Sequence, residues 1–524
     1  MSTVTIRQDR HQQTLVVSPP VRMDYIIRQA GFSFSMPCGG NHTCGKCQVR
    51  AWGQLSPRSP EELRLSPNDP TLRLACCTLI LGDAEIELSP TTPTDVLLNS
   101  QPLRQSQGEA VGFAVDIGTT TVAVYLYELS SGTQLTQEGE LNRQSVFGAD
   151  VIARIDAARQ QPDLLQRCII DQLTDLFQRC LHRCGCSPAQ VQRLVITGNT
   201  TMLHFLTGKD ASGIAASPFV PESLFGLVMD AGELFPVLAG ARLFLPPCIS
   251  AYVGADIVCA LLSSHLIQRY SNALLIDVGT NGEMALWTRG TLSCCSTAAG
   301  PAFEGAGLSH GMTAAPGAIT HVSLDGDNLC CHTLNDAAPL GLCGTGALSA
   351  LAFLLDQEIL DQTGRLLTEG HSFSHLVEDS AEGRQFHLVP HCVALTQADI
   401  RQLQLAKAAL SAGAATLFHQ LDLTPQQLDA LVLCGGFGCR LDPREAQRIG
   451  MLPPIPTNRI LTAGNASGQG AIQLLLHPEE EAYASQLAQM AETLDLSSSP
   501  WFMDQYVESM YFPEENSNSF DKTK

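Results

Sequence analysis

Four cysteines are spaced so that their side chains can converge. Cys38, Cys44 and Cys47 form a C-x5-C-x2-C run in MPCGGNHTCGKC, and Cys76 follows in LRLACCTL. Four thiolates must reach two irons from one side. One loop can supply three of them only if its backbone turns sharply. Gly39, Gly40 and Gly45 allow those turns and let amide N–H groups approach the sulfides. The spacing fits a 2Fe–2S cluster held by Cys38, Cys44, Cys47 and Cys76. Zinc is the competing metal, but it favours two CxxC-like knuckles, and only Cys44–Cys47 forms one. Unligated loop thiols are the plain alternative. Cys77 adjoins Cys76. A strand points adjacent side chains to opposite faces, so one of the two ligates, and the expectation is Cys76.

Two glycine–threonine turns offer a second chemistry. Asp116-Ile117-Gly118-Thr119-Thr120-Thr121 and Asp277-Val278-Gly279-Thr280-Asn281-Gly282-Glu283 each lie between apolar strands. Gly118, Thr119, Thr120, Gly279, Thr280, Asn281 and Gly282 would present N–H and hydroxyl donors to a phosphate chain. Asp116 and Asp277, at the strand ends, would hold Mg²⁺ directly or through water. Either turn alone also reads as an ordinary tight turn. The pair is reinforced by Leu433-Cys434-Gly435-Gly436-Phe437-Gly438, where Gly435, Gly436 and Gly438 leave the backbone bare for a purine.

Other residues carry two readings each. Asp150 and Asp256 precede apolar periodic runs, so they either cap helices or reach a cation or water. Glu304 either contacts a nucleotide or partner, or is structural. Asn199, Thr200 and Thr201 either line a cleft or start a helix. Cys180, Cys184 and Cys186 sit at helical spacing and read as core or surface thiols. The neighbours Cys294–Cys295 and Cys330–Cys331 are poorly shaped for one metal. The aromatic stripe WFMDQYVESMYFPEEN (501–516) reads as docking back on the preceding fold.

Composition sets the frame. The chain has 524 residues, so two to four domains are expected. Lys and Arg number 31 against 52 Asp and Glu, a net charge of −21. That argues against nucleic acid, whose phosphates need a cationic surface. No apolar run is long enough to span a bilayer. The opening MSTVTIRQDRHQQTLVV reads as a strand start rather than a secretory signal, so no membrane and a cytoplasmic location are expected. The 19 cysteines are then thiols, ligands or core packers rather than disulfides.

The elements that must position these groups follow from periodicity. Residues 1–88 read as a small β-rich unit with one short helix ended by Gly31, and 89–110 as a Pro/Ser/Thr/Gln-rich linker. From 111 onward, strands alternate with amphipathic helices. The stripe at 165, 169, 173, 176, 177 and 180 marks a helix over 164–184. The repeated strand–turn–strand pattern points to a duplicated domain, with halves at 111–270 and 271–476. Residues 477–524 read as an acidic tail.

The cysteine segment resembles the ferredoxin-like domain that holds a 2Fe–2S cluster, in the variety with five residues between the first two cysteines. The turns and the glycine motif resemble the phosphate-1, phosphate-2 and adenosine motifs of the superfamily of acetate kinase, sugar kinases, heat-shock chaperones and actin. NRQSVFGADVIARI (142–155), GNTTMLHFL (198–206), GPAFEGAG (300–307), GLCGTGALSAL (341–351) and TQADIRQLQLAKAAL (396–410) look like the reductive activators of corrinoid proteins. That resemblance implies an α/β chain: a β-grasp-like 2Fe–2S ferredoxin domain (α+β), then a two-lobed, duplicated actin-like ATPase. It implies 2Fe–2S, ATP and Mg²⁺ as cofactors, a corrinoid protein and an external electron donor as partners, and a homodimer. Larger members carry an extra small domain, implicated in pairing subunits, where this chain has only a short linker.

The resemblance also explains why the two modules are joined. A 2Fe–2S centre of the plant type works near about −400 mV, and reducing Co(II) to Co(I) in a corrinoid opposes that equilibrium. A two-lobed ATPase can supply the missing free energy if its nucleotide states bind the partner differently. The competing readings are a small-molecule kinase, a nucleotide-gated iron–sulfur carrier or sensor, and an activator of another low-potential enzyme.

Overall fold

The computed structural model describes residues 1–8, 11–32, 34, 36, 42, 45–89, 104, 108–380 and 383–514. The chain divides into two compact units, 1–93 with 141–169, and 94–140 with 170–524.

In the first unit, alternating residues build a mixed sheet. Its order is His11–Val17, Ser2–Gln8, Leu79–Glu87, Gln48–Leu55, Leu72–Leu74, with Val21–Arg22 also on Leu79–Glu87. Ser2–Gln8 and Leu79–Glu87 run parallel. Every second residue of Leu79–Glu87 is buried, as a sheet with one dry face requires. The helix Met23–Gln29 crosses that face and buries Met23, Ile26 and Ile27 against Val4, Ile6, Ile80 and Ile86. Gly31 follows at φ +75°, where glycine ends a helix without a Cβ clash. This is the β-grasp-like arrangement expected. The 141–169 segment contributes the helix Val151–Gln160. Asp150 caps it, with Oδ1 accepting from Ala153 N at 2.8 Å. Of the two readings of Asp150, the cap is the one realised.

The second unit contains two sheets of the same plan. One runs Leu227–Asp230, Arg242–Leu245, Val191–Gly198, Val111–Ile117, Thr121–Glu128, Thr133–Leu141. The other runs Ile460–Thr462, Ala430–Cys434, Asn272–Val278, Gly282–Thr288, Thr291–Thr297, Ala491–Thr493. Val111–Ile117 and Asn272–Val278 are the equivalent strands. Each pairs parallel to a later strand and antiparallel to the next one through a tight turn. The duplication expected from the repeated pattern is thus a duplication of topology. Helices Ala255–Ser264 and Ala466–Leu476 share a core with both sheets, joining Val195 and Ala114 to Leu275 and Val432. They approach so closely that a Cβ on Gly470 would lie 2.1 Å from the Cys259 carbonyl oxygen.

The helix stripe expected over 164–184 lies within Pro162–Cys184, and all six marked residues are buried. Cys180 and Cys184 are core thiols of this helix, as expected. The aromatic stretch after 500 docks back on the preceding fold, as expected, and a strand before it joins the second sheet. Ala491–Thr493 adds a strand beside Thr291–Thr297. Trp501, in Pro500–Glu508, stacks on His419 at 4.3 Å. Phe512 is buried, and Lys407 donates to the Tyr511 carbonyl at 2.6 Å. Burial lowers the Lys407 ammonium to about 7. Residues 515–524 lie outside the described residues.

Candidate functional site

The two turns face a common space. In the first, Gly118 N donates to Thr121 O at 2.8 Å; in the second, Gly279 N donates to Asn281 O at 3.0 Å. Thr120 Oγ1 donates to Glu304 Oε2 at 2.6 Å, and Thr280 Oγ1 donates to Glu304 Oε1 at 2.8 Å. One carboxylate therefore bridges the two turns. Asn199 Nδ2 donates to Thr119 Oγ1 at 3.0 Å while its Oδ1 caps the helix Thr200–Thr207. Asn199 lines the space, whereas Thr200 and Thr201 are buried in the helix start.

Four carboxyl groups gather behind the turns. Burial pushes Asp116 up to about 6, against the hydrogen bonds from Ser467 and Asn465. Burial, reinforced by the charge of Asp116, pushes Asp277 up to about 6. Asp256 is raised by burial and by the charges of Asp277 and Asp116. Glu283 is raised well above the carboxylate range by burial, Asp256 and Asp277. Among the described residues none of the four makes an ion pair. The charges of Asp116, Asp277 and Asp256 hold protons on their neighbours, and a divalent cation with oxygen ligands would relieve them together. Asp256 thus belongs with the acids behind the turns. It lies in the first turn of Ala255–Ser264, whose cap is Gly254.

The glycine motif opens a helical turn, Gly435–Gly438. Gly435 sits at φ +87°, and a Cβ there would lie 2.3 Å from Asp277 Oδ1. A Cβ on Gly436 would meet nothing within 4 Å, so its face is open. A Cβ on Gly438 would touch Val278 at 3.4 Å. Gly282 is buried, and a Cβ there would strike Leu410 at 2.1 Å. The missing Cβ lets the second turn pack down on the helix that carries Leu410.

The thiol site is in the N-terminal sheet. Cys47 Sγ and Cys76 Sγ are 3.3 Å apart and both residues are buried. The contact with Cys47, then burial, raises the Cys76 thiol. Two buried sulfurs in contact cannot both ionise without a cation between them, so this pair suits metal-bound thiolates. Cys38 and Cys44 lie outside the described residues. The strand argument that separated Cys76 from Cys77 does not hold. The strand Leu72–Leu74 ends before them, and Cys77 N turns back to Leu74 O at 2.9 Å. Cys77 Sγ is consequently 3.7 Å from Cys76 Sγ, and His42 Nδ1 is 3.1 Å from Cys77 Sγ. One ligand atom each from His42, Cys76 and Cys77 lies within 4.8 Å of the other two.

Several positioning groups escaped the sequence reading. Glu62 is buried and accepts from Arg73 Nε, Leu74 N and Thr78 Oγ1, each at 2.9 Å, fixing the loop that carries Cys76. Burial would raise this carboxyl, but Arg73 and the N–H donors hold it below its usual range. Its signal was the Ser59-Pro-Glu-Glu62 capping box. Ser467 donates to Asp116 Oδ1 at 3.0 Å. Its signal was the Asn465 cap opening Ala466–Leu476.

Comparisons with known proteins cover most of the chain. Residues 271–524 match the family model described as the C-terminal domain of RACo, the ASKHA domain. Residues 111–269 match the one described as the RACo middle region. The corrinoid activation enzyme RamQ of Eubacterium limosum is 31% identical over 432 residues, covering 78% of this chain and 72% of the relative. The Co(II) methylated amine-specific corrinoid protein reductase of Methanosarcina barkeri is 25% identical over 431 residues, 76% of each. A solved structure, a reductive activator for corrinoid, iron-sulfur protein, superposes with a TM-score of 0.70 at 27% identity and covers 100% of both chains. Among the described residues no helix is long and apolar enough to cross a membrane.

Proposed function

We propose a mechanism from one premise, that this chain belongs to the family of reductive activators of corrinoid proteins. Its reaction is the ATP-dependent reduction of a Co(II) corrinoid protein to Co(I), the state that accepts a methyl group. The N-terminal module, residues 1–88, binds an iron–sulfur cluster of the 2Fe–2S type through Cys47 and Cys76, with Cys38 and Cys44 as the remaining ligands. When bound, that group supplies one-electron chemistry. Glu62 and Arg73 keep the Cys76 loop in place. An external donor supplies the electrons, and a reducing cytoplasm suits the many buried thiols.

The two halves, 111–270 and 271–476, bind ATP–Mg²⁺. Asp116 and Asp277 take the cation, directly or through water, with Asp256 and Glu283 adding negative charge around it. Gly118, Thr119, Thr120, Gly279, Thr280 and Asn281 donate to the phosphates. The bare backbone of Gly435, Gly436 and Gly438 takes the purine. Because Asp116 and Asp277 end equivalent strands of two sheets, a cation held by both would couple how those sheets are held. A partner that docks on one arrangement better than the other is then released or retained by hydrolysis.

The observation that carries this reading is the meeting of Asp116 and Asp277 at equivalent strand ends, each raised to about 6. The test is anaerobic. The chemically reduced protein is mixed with a Co(II) corrinoid subunit, and the Co(I) absorption band is followed with and without ATP–Mg²⁺. The band should appear only with ATP, and Asp116→Ala should lose it with the iron content unchanged. Co(I) formation without ATP, or in Asp116→Ala, would sink the coupling.

A further inference from the structure

We infer that Glu304 is an internal competitor for the nucleotide's phosphates, holding the two turns together until a polyphosphate takes its hydroxyl donors. This rests on the ATP reading above and adds a regulatory element to the same site.

A threonine hydroxyl carries one proton and can donate it to one acceptor. Thr120 and Thr280 each give theirs to Glu304, at 2.6 and 2.8 Å. While those bonds stand, neither hydroxyl is a donor to phosphate. Glu304 is itself an anion and makes no ion pair among the described residues, so a phosphate entering between the turns meets a like charge. Carboxylate and phosphate cannot both hold these protons.

Glu304 is placed for this by a rigid element. It ends the short helix Pro301–Glu304, and Gly300 N donates to Thr280 O at 2.9 Å, tying that element to the second turn. Gly305 follows at φ +76°, where a Cβ would lie 2.1 Å from Met312 O. Phe303 is buried and stacks on Phe437 with ring centroids 5.1 Å apart. The arm therefore belongs to the second sheet and reaches over to catch Thr120 of the first. Phe437 lies inside the glycine motif, so the surface offered to a purine bears on the same element through Phe303.

The consequence is a nucleotide-free cleft that is satisfied rather than open. Its two turns are bridged by a carboxylate, and the incoming polyphosphate replaces that bridge with its own oxygens. Departure of the phosphates returns the hydroxyls to Glu304. The site thereby resets without the partner.

The test is calorimetric titration of ATP–Mg²⁺ into the nucleotide-free full chain, wild type beside Glu304→Gln. In Gln one of the two acceptor oxygens becomes an NH2 group that donates instead, so one hydroxyl is freed and the repelling charge is gone. Glu304→Gln should bind ATP–Mg²⁺ at least about tenfold more tightly, since a hydrogen bond to a charged group no longer has to be broken. Glu304→Asp, charged but too short to hold both hydroxyls, should fall between, and it carries the test if Glu304→Gln fails to fold. Equal or weaker binding by both variants, with the wild type binding, would overturn the competitor and leave the ATP reading standing. Binding by none of the three proteins would overturn the ATP reading and the competitor with it.

Discussion

Ser467 and Asp116, 351 residues apart in the chain, are joined by a 3.0 Å hydrogen bond from the serine hydroxyl to the carboxylate. The bond favours the charged form of Asp116 and so partly offsets the burial that raises it. Ser467→Ala should push Asp116 further up. Cation binding needs the carboxylate ionised, so ATP–Mg²⁺ affinity falls as pH drops through about 6. In Ser467→Ala that fall should begin at a higher pH. A pH series of binding titrations, from acid to weakly basic, checks it. An unmoved midpoint would remove Ser467 from the site.

Asp277→Asn should stabilise the nucleotide-free chain while abolishing ATP-dependent reduction. A carboxyl raised to about 6 holds its proton longer in the folded than in the unfolded state. Stability therefore falls as pH rises from the ordinary carboxylate range to about 6, and the deficit persists above it. Removing one such charge should return about 1–3 kcal/mol at neutral pH. The gain should shrink toward pH 4, where the wild-type group is protonated too. Thermal midpoints of both proteins at neutral and acid pH, without nucleotide, give the answer.

Adjacent glycines should behave differently. Gly435→Ala places a Cβ 2.3 Å from Asp277 Oδ1 at φ +87°, so it should lower stability and displace the carboxylate. Gly436→Ala meets nothing and should leave the thermal midpoint alone. If the purine rests on that open face, Gly436→Ala should still weaken ATP. Midpoints and binding measured side by side separate the two effects.

At the thiols, Cys76→Ser should lose bound iron and the visible absorption of the cluster, and Cys77→Ser should keep both. Cys76 is the sulfur in contact with Cys47, whereas Cys77 faces His42. Glu62→Gln should reduce iron loading without touching any sulfur, because it weakens the brace on the Cys76 loop. Iron content and the cluster spectrum after anaerobic reconstitution report on all three. Iron lost from Cys77→Ser and retained by Cys76→Ser would reverse the assignment.

How much of this could be read in advance depended on whether the signal was local. The helix containing Leu165, Ile169 and Leu173 and the two Asp-x-Gly-Thr turns are written in consecutive residues. They appear where periodicity and turn chemistry put them. Asp150 and Asp256 look alike in sequence, each an Asp before an apolar run. Only the packing of Ala255–Ser264 between two sheets sends Asp256 to the other acids. Glu304 and Ser467 act through partners 184 and 351 residues away, a relationship no local pattern encodes. Cys77 was misplaced relative to Cys76 because apolar neighbours suggested a strand where the chain turns.

The strand Ala491–Thr493 has a bearing on how the second sheet is kept from other chains. It pairs beside Thr291–Thr297, and the residues after it seal Lys407 of the helix Gln397–Gln420 beneath Tyr511 and Phe512. Without these residues the strand Thr291–Thr297 would stand as an unpaired edge and Lys407 would lie uncovered. An unpaired edge is an invitation to join with another chain. The stretch from Ala491 to Phe512 therefore guards against self-association as well as completing the core.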